Sequence, residues 1–182
     1  MKYPIMRTEE SKAGLRSMLS YINNKTKMID FEIVEVGAYE GDATRIFSKY
    51  CLIVTAVDPW KSGKGDITDR VDMDKIFDRF RNNINGYPNI MIMRMDSLKA
   101  ANQFDGDEFD MVYIDASHEY KDVKADIEAW LPRVKPGGWI CGHDYRGMFP
   151  GVIKAVDELL GAPEKIFPDS SWIKRKTKTL IH

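Results

Sequence analysis

The stretch Phe31-Glu32-Ile33-Val34-Glu35-Val36-Gly37-Ala38-Tyr39-Glu40-Gly41-Asp42 decides the fold. Its apolar run breaks at Gly37 and enters a helical pattern from Ala43 to Tyr50, the strand, turn and helix that bring a ligand against backbone amides. A dinucleotide-binding turn would need glycine at position 39 and a small residue at position 42, so that backbone can touch a pyrophosphate. Tyr39 and Asp42 stand there instead, and Glu40 adds negative charge. Acids flanking the turn repel a pyrophosphate and suit a cofactor that carries positive charge and no phosphate.

The next apolar run, Leu52–Val57, ends at Asp58, an acid placed to accept both hydrogen bonds of a ribose diol. Pro59-Trp60 then offers a flat apolar wall for an adenine ring. S-adenosylmethionine, with its sulfonium and ammonium groups, meets both requirements. Two more runs end in polar residues. Phe109–Ile114 leads into Asp115, with His118 following, and Trp139–Cys141 leads into Gly142-His143-Asp144-Tyr145.

If those two strands are neighbours, their ends converge. Asp115, His143 and Asp144 then supply two carboxylates and one imidazole to a divalent cation, leaving positions for water and substrate oxygens. A cation gripping a substrate hydroxyl lowers its pKa and orients it for attack on a sulfonium methyl. His118 is the general base of this reading. Taken singly, the same residues read as a helix cap (Asp115), a backbone-bonded imidazole (His143) and a turn residue (Asp144). Two other functions use the same groups. His118, His143 and either Asp115 or Asp144 form a two-histidine, one-carboxylate iron site for hydroxylation, or the chain binds a cofactor without catalysis.

Composition narrows the field. A chain of 182 residues is one ordinary domain, with roughly 70% of its unfolded surface buried on folding. A net charge of −1 with both signs interspersed gives no nucleic-acid or membrane-surface footprint. Lys174-Arg175-Lys176-Thr177-Lys178, the one cationic cluster, reads as a lysine-protected strand edge. Cys51 and Cys141 read as reduced core residues. With no signal peptide or membrane-length apolar segment in the sequence, the expected location is cytoplasmic. Lys61-Ser62-Gly63-Lys64-Gly65-Asp66 lacks the ending of a phosphate loop and reads as a surface loop. His182 carries no evident role.

Helical patterns over Val71–Ile84, Tyr120–Leu131 and Val152–Leu160, and an opening helix with Leu15, Met18, Leu19 and Ile22 on one face, alternate with the strands. Ile90–Arg94 reads as a further buried strand, its methionines 91, 93 and 95 as core filling. Lys165–Phe167 and Trp172–Lys176 read as a closing hairpin with Pro168-Asp169-Ser170-Ser171 as its turn. Alternation of this kind predicts an α/β protein with a mostly parallel sheet covered on both faces.

The segments Val34–Gly41, Ala56–Trp60, Tyr113–Tyr120 and Leu131–Ile140, with His143-Asp144-Tyr145 beyond, resemble class I S-adenosylmethionine-dependent methyltransferases, and within them the small branch related to catechol, macrocin and sugar O-methyltransferases. The resemblance covers about Phe31 to Leu160. It implies a Rossmann-like, doubly wound, seven-stranded three-layer α/β/α fold with an antiparallel last strand. It places Glu35, Gly37 and Gly41, with Ala38 and Tyr39 between them, on the methionine-binding turn, Asp58 on the ribose, and Asp96 with Ser97 on the adenine. It places Asp115, His143 and Asp144 on the family's metal ligands, and His118 where the catechol branch has its catalytic lysine. That branch carries Asp-Asn where this chain has His143-Asp144, so manganese, iron or zinc join magnesium as candidates. The implied acceptor is a small molecule or saccharide, contacted by the opening helix, the Lys61–Arg70 loop and Tyr145, Arg146 and Phe149. A homodimer partner is a further way to complete that pocket.

Overall fold

The computed structural model describes residues 7–61 and 71–177. Helix α1 (Glu9–Lys25) starts where Thr8 accepts a hydrogen bond from the Ser11 amide, with Glu9 and Glu10 complementing the helix dipole. Its buried face is Leu15, Met18, Leu19 and Ile22, as the spacing predicts. Strand β1 (Glu32–Val36), helix α2 (Asp42–Phe47), strand β2 (Ile53–Val57), helix α3 (Met73–Ile84) and strand β3 (Ile90–Met93) follow. After them come α4 (Ser97–Ala101), β4 (Phe109–Ile114), α5 (Tyr120–Trp130), β5 (Val134–Gly142), α6 (Pro150–Leu160), β6 (Lys165–Ile166) and β7 (Trp172–Arg175).

These strands form one seven-stranded sheet in the order β3-β2-β1-β4-β5-β7-β6. The first five are parallel, and β7 runs antiparallel to both β5 and β6, which confirms the expected fold class and the closing hairpin. Period-two alternation divides the core into two layers. Met111 and Tyr113 of β4 face α1 and α2 with Ile33, Trp139 and Cys141. Val112 and Ile114 face α5 and α6 with Val34, Val36 and Ile140. Cys141 is buried and Cys51 half-buried, both free thiols, as expected.

The order reverses between β1 and β4, so the crevice outside their carboxyl ends is the switch point where open α/β sheets bind ligands. The Asp115 amide clamps the β4 end to β1 by donating to Val36 O, and the Gly37 amide ties the β1 end to β2 by donating to Val57 O, each at 2.8 Å.

Three expectations need correction. Strand β3 is not buried, because it is the sheet's edge: Met91 is 56% and Ile92 41% exposed, and of the three methionines only Met93 and Met95 pack on the core. The basic tail is no edge guard, because β7 lies inside the sheet. Lys176 is 4% exposed, with its Nζ donating to Val134 O at 2.6 Å and paired with Asp107 at 2.6 Å. Helix α4 was not anticipated; at five residues, capped by Asp96, it is too short to show a periodicity. The loop residues 62–70, Lys178 and His182 lie outside the described residues. Among those described, no helix is long and apolar enough to cross a membrane.

Candidate active site

Gly37 and Gly41 adopt left-handed backbone at φ +90° and +85°, and Tyr39 between them is also at positive φ, 46°. Asp58 holds this turn. Its Oδ2 accepts from the Tyr39 amide at 3.0 Å and its Oδ1 from the Trp60 amide at 2.7 Å. Each oxygen keeps a second lone pair for a ribose hydroxyl. Burial raises the Asp58 pKa, opposed by those two amide bonds. Glu35 is wholly buried below the turn, hydrogen-bonded by the Thr44 hydroxyl, and burial pushes its carboxyl up to about 8. The outer acids are already compensated: Glu40 pairs with Arg79 at 2.8 Å and Asp42 with Lys12 at 3.4 Å.

Two expected cofactor contacts are redirected. Trp60 is 1% exposed, tilted against Phe77 and Phe80 at 4.7 Å each, and its indole N–H donates to Tyr39 O at 2.8 Å. Its ring belongs to the core under α3 and offers no adenine wall; half-buried Pro59 remains at the rim. The Ser97 hydroxyl donates to Asp126 at 2.6 Å and accepts from Trp130 Nε1 at 2.8 Å, while Asp96 caps α4. The Ser97 hydroxyl is thus committed to Asp126 and Trp130. We expect Asp58→Asn to weaken S-adenosylhomocysteine binding about 10- to 100-fold, since a charge-assisted hydrogen bond is worth about 1.5–3 kcal/mol. Calorimetric titration checks this, and an unchanged affinity would remove Asp58 from the ribose.

The ends of β4 and β5 converge as anticipated, because the two strands are paired directly. One ligand atom from each of Asp115, His143 and Asp144 lies within 4.8 Å of the others. His143 Nδ1 is 3.2 Å from Asp144 Oδ1 and 3.7 Å from Asp115 Oδ1. Burial opposes charge on His143, but Asp144 and Asp115 outweigh it and raise its pKa. Burial alone would raise the Asp144 pKa; hydrogen bonds from His118 and His143 hold it well below the carboxylate range. His118 Nε2 lies 2.7 Å from Asp144 Oδ2, and its ring stacks on Phe149 at 4.1 Å. Arg146 pairs with Asp144 at 3.2 Å and lies over the Phe149 ring at 5.1 Å. Asp115, His118, His143 and Asp144 line a small cleft with Ile114, Val152 and Trp172. His118 falls outside the close group of three, so the two-histidine iron set is not assembled among the described residues.

Two participants were missed in the sequence. Arg7 reaches across from the start of α1, pairing with Asp115 and donating to the Tyr113 hydroxyl at 3.0 Å. Asp169, read only as a turn residue, buries its side chain 4.0 Å from His143 Nε2 and accepts from the Ser171 hydroxyl at 2.8 Å. It fits there because Gly14 of α1 has no side chain: a Cβ would lie 2.3 Å from the carboxylate. That glycine, out of place in a helix interior, was the one available signal.

A switch-point crevice with an amide-bound acid after β2 and an acid after β4 defines the class I S-adenosylmethionine-dependent methyltransferase fold. Residues 34–145 match the family described as Methyltransferase domain, and the chain belongs to it. Among curated proteins it is similar to the uncharacterized protein y4gI of Sinorhizobium fredii, 27% identical over 124 residues, 62% of this chain and 13% of that protein. The chain thus spans a small part of that relative's length. Among solved structures, the N-methyltransferase NodS from Bradyrhizobium japonicum WM9 superposes with TM-score 0.63 at 15% identity, over 95% of this chain and 100% of its own. The O-methyltransferase NovP gives 0.63 at 19% identity (93% and 79%). CalS11, a TDP-rhamnose 3'-O-methyltransferase, gives 0.62 at 16% (94% and 82%).

Proposed function

We propose that this methyltransferase moves the methyl group of S-adenosylmethionine to a hydroxyl oxygen of a small molecule or saccharide. The observation that carries the reading is the His118–Asp144 pair beside Asp115 and His143, at the carboxyl ends of β4 and β5. Asp144, ionised and buried, keeps a proton on His118 Nε2, which makes Nδ1 the basic nitrogen. His118 Nδ1 takes the acceptor's hydroxyl proton while the oxygen forms its bond to the methyl carbon. The carbon–sulfur bond breaks, and sulfur leaves as the neutral thioether of S-adenosylhomocysteine. Asp58 and the Gly37–Gly41 turn hold the nucleoside and methionine ends, and Phe149 and Arg146 shape the acceptor side.

The donor set also fits a divalent cation. One ligand atom from each of Asp115, His143 and Asp144 lies within 4.8 Å of the others, and two carboxylates with one imidazole are a donor set such ions accept. Asp115, His143 and Asp144 would hold the ion, which would lower the pKa of an acceptor hydroxyl. Titration with S-adenosylhomocysteine, with and without manganese, followed by labelled methyl transfer to panels of sugars, phenols and amines, tests the whole reading. Saturable nucleoside binding and label on hydroxyl acceptors are expected. Label confined to amines would overturn the oxygen assignment, and absence of nucleoside binding would overturn the cofactor.

A further inference from the structure

The methionine end of the cofactor is not only cationic. Its amino-acid group carries a carboxylate as well, and the crevice is walled by Asp58 after β2 and Asp115 after β4, both of the wrong sign to receive it. One cation is built into that wall. Arg7 lies with its side chain 12% exposed, paired with Asp115 and hydrogen-bonded to the Tyr113 hydroxyl, close enough to Glu35 to act on its ionisation. The other described cations beside the turn are engaged further out: Lys12 with Glu9 and Asp42, and Arg79 with Glu40, its side chain 63% exposed.

The surroundings of Arg7 hold its guanidinium in place. Tyr113 accepts from Arg7, donates to the Ser171 hydroxyl at 3.2 Å, and Ser171 donates in turn to Asp169 at 2.8 Å. Every proton in this chain points from the guanidinium toward the buried Asp169. A guanidinium has five N–H donors. Hydrogen bonds to Asp115, Tyr113 and, at 3.4 Å, Ser11 leave donors for one more carboxylate, in the forked geometry that matches it.

Resting on the cofactor reading above, we propose that Arg7 is the receptor for the cofactor's carboxylate. The acids of the crevice then take its ammonium and sulfonium, so both charges of the amino-acid end are matched. The first helix thereby becomes part of the cofactor site.

The test compares S-adenosylhomocysteine with its decarboxylated analogue, which lacks only the carboxylate, against wild type, Arg7→Gln, Arg7→Lys and Lys12→Gln. We expect wild type to prefer the intact nucleoside at least about tenfold. Arg7→Gln should lose that preference while binding the decarboxylated analogue within about twofold of wild type. Arg7→Lys, which keeps the charge without the fork, should recover part of the preference. Equal losses for both nucleosides in Arg7→Gln would show a merely structural role through Asp115 and Tyr113, and would overturn the proposal. So would loss of the preference in Lys12→Gln instead, or a wild type that binds both nucleosides equally. Wild type binding neither would bring down the cofactor reading itself, an outcome distinct from the others.

Discussion

Replacing His118 by asparagine is expected to lower turnover about 10²- to 10⁴-fold while leaving S-adenosylhomocysteine affinity within about twofold. The side chain stands at the rim of the cleft, 43% exposed, with Asp115, His143 and Asp144 around it. It meets Asp144 at 2.7 Å and Phe149 at 4.1 Å, groups that would face the acceptor. Asp144→Asn should lower turnover in the same direction, because an amide no longer fixes the proton on Nε2. The two losses should not add, since each removes the same base. Steady-state kinetics with saturating cofactor provides the check. A raised KM with unchanged kcat in His118→Asn would make the ring an acceptor-binding surface rather than a base.

The fold was legible because four apolar runs each stop abruptly at a glycine or a polar residue. Val36 to Gly37, Val57 to Asp58, Ile114 to Asp115 and Gly142 to His143 are all sheet ends on the same edge. What could not be read was where side chains turn once a strand is left. Trp60 follows Asp58-Pro59 just past a strand end, yet its backbone takes positive φ, 44°, and sends the ring into the aromatic cluster under α3. Nothing in the dipeptide Pro59-Trp60 encodes that choice, which depends on Phe77 and Phe80 arriving from a helix beyond. Arg7 and Asp169 were missed for the same reason. They lie far from the strand ends in sequence, and only the packing of α1 and the β6–β7 hairpin against Tyr113 and His143 brings them in. Strand β3 shows the reverse error, an apolar run that reads as buried but lies at an edge, because burial belongs to sheet order and not to composition.

Gly37→Ala is the substitution expected to cost most in stability, and Gly86→Ala separates its two causes. Both glycines are left-handed, at φ +90° and +91°, so an alanine at either meets a similar backbone penalty, about 1–2 kcal/mol. They differ in what a Cβ would meet. At Gly86 nothing lies within 4 Å, whereas at Gly37 the Asp115 carbonyl oxygen would be 2.2 Å away and its carbonyl carbon 2.6 Å. Those neighbours are backbone held by the Asp115 N–H to Val36 O bond, so relief requires the ends of β1 and β4 to part. Gly86→Ala should therefore cost about 1–2 kcal/mol, and Gly37→Ala at least about 2 kcal/mol more, in the range where core overpacking adds to strain. Urea unfolding of the two variants measures the difference. Equal losses would mean that the strand ends separate freely. Because the same parting displaces Asp115 from Arg7 and His143, Gly37→Ala should also lose nucleoside affinity, which Gly86→Ala should retain. Stability and function thus meet at one backbone contact: the closeness of β1 to β4 that only glycine permits is also what sets the acid of one strand end over the cofactor turn of the other.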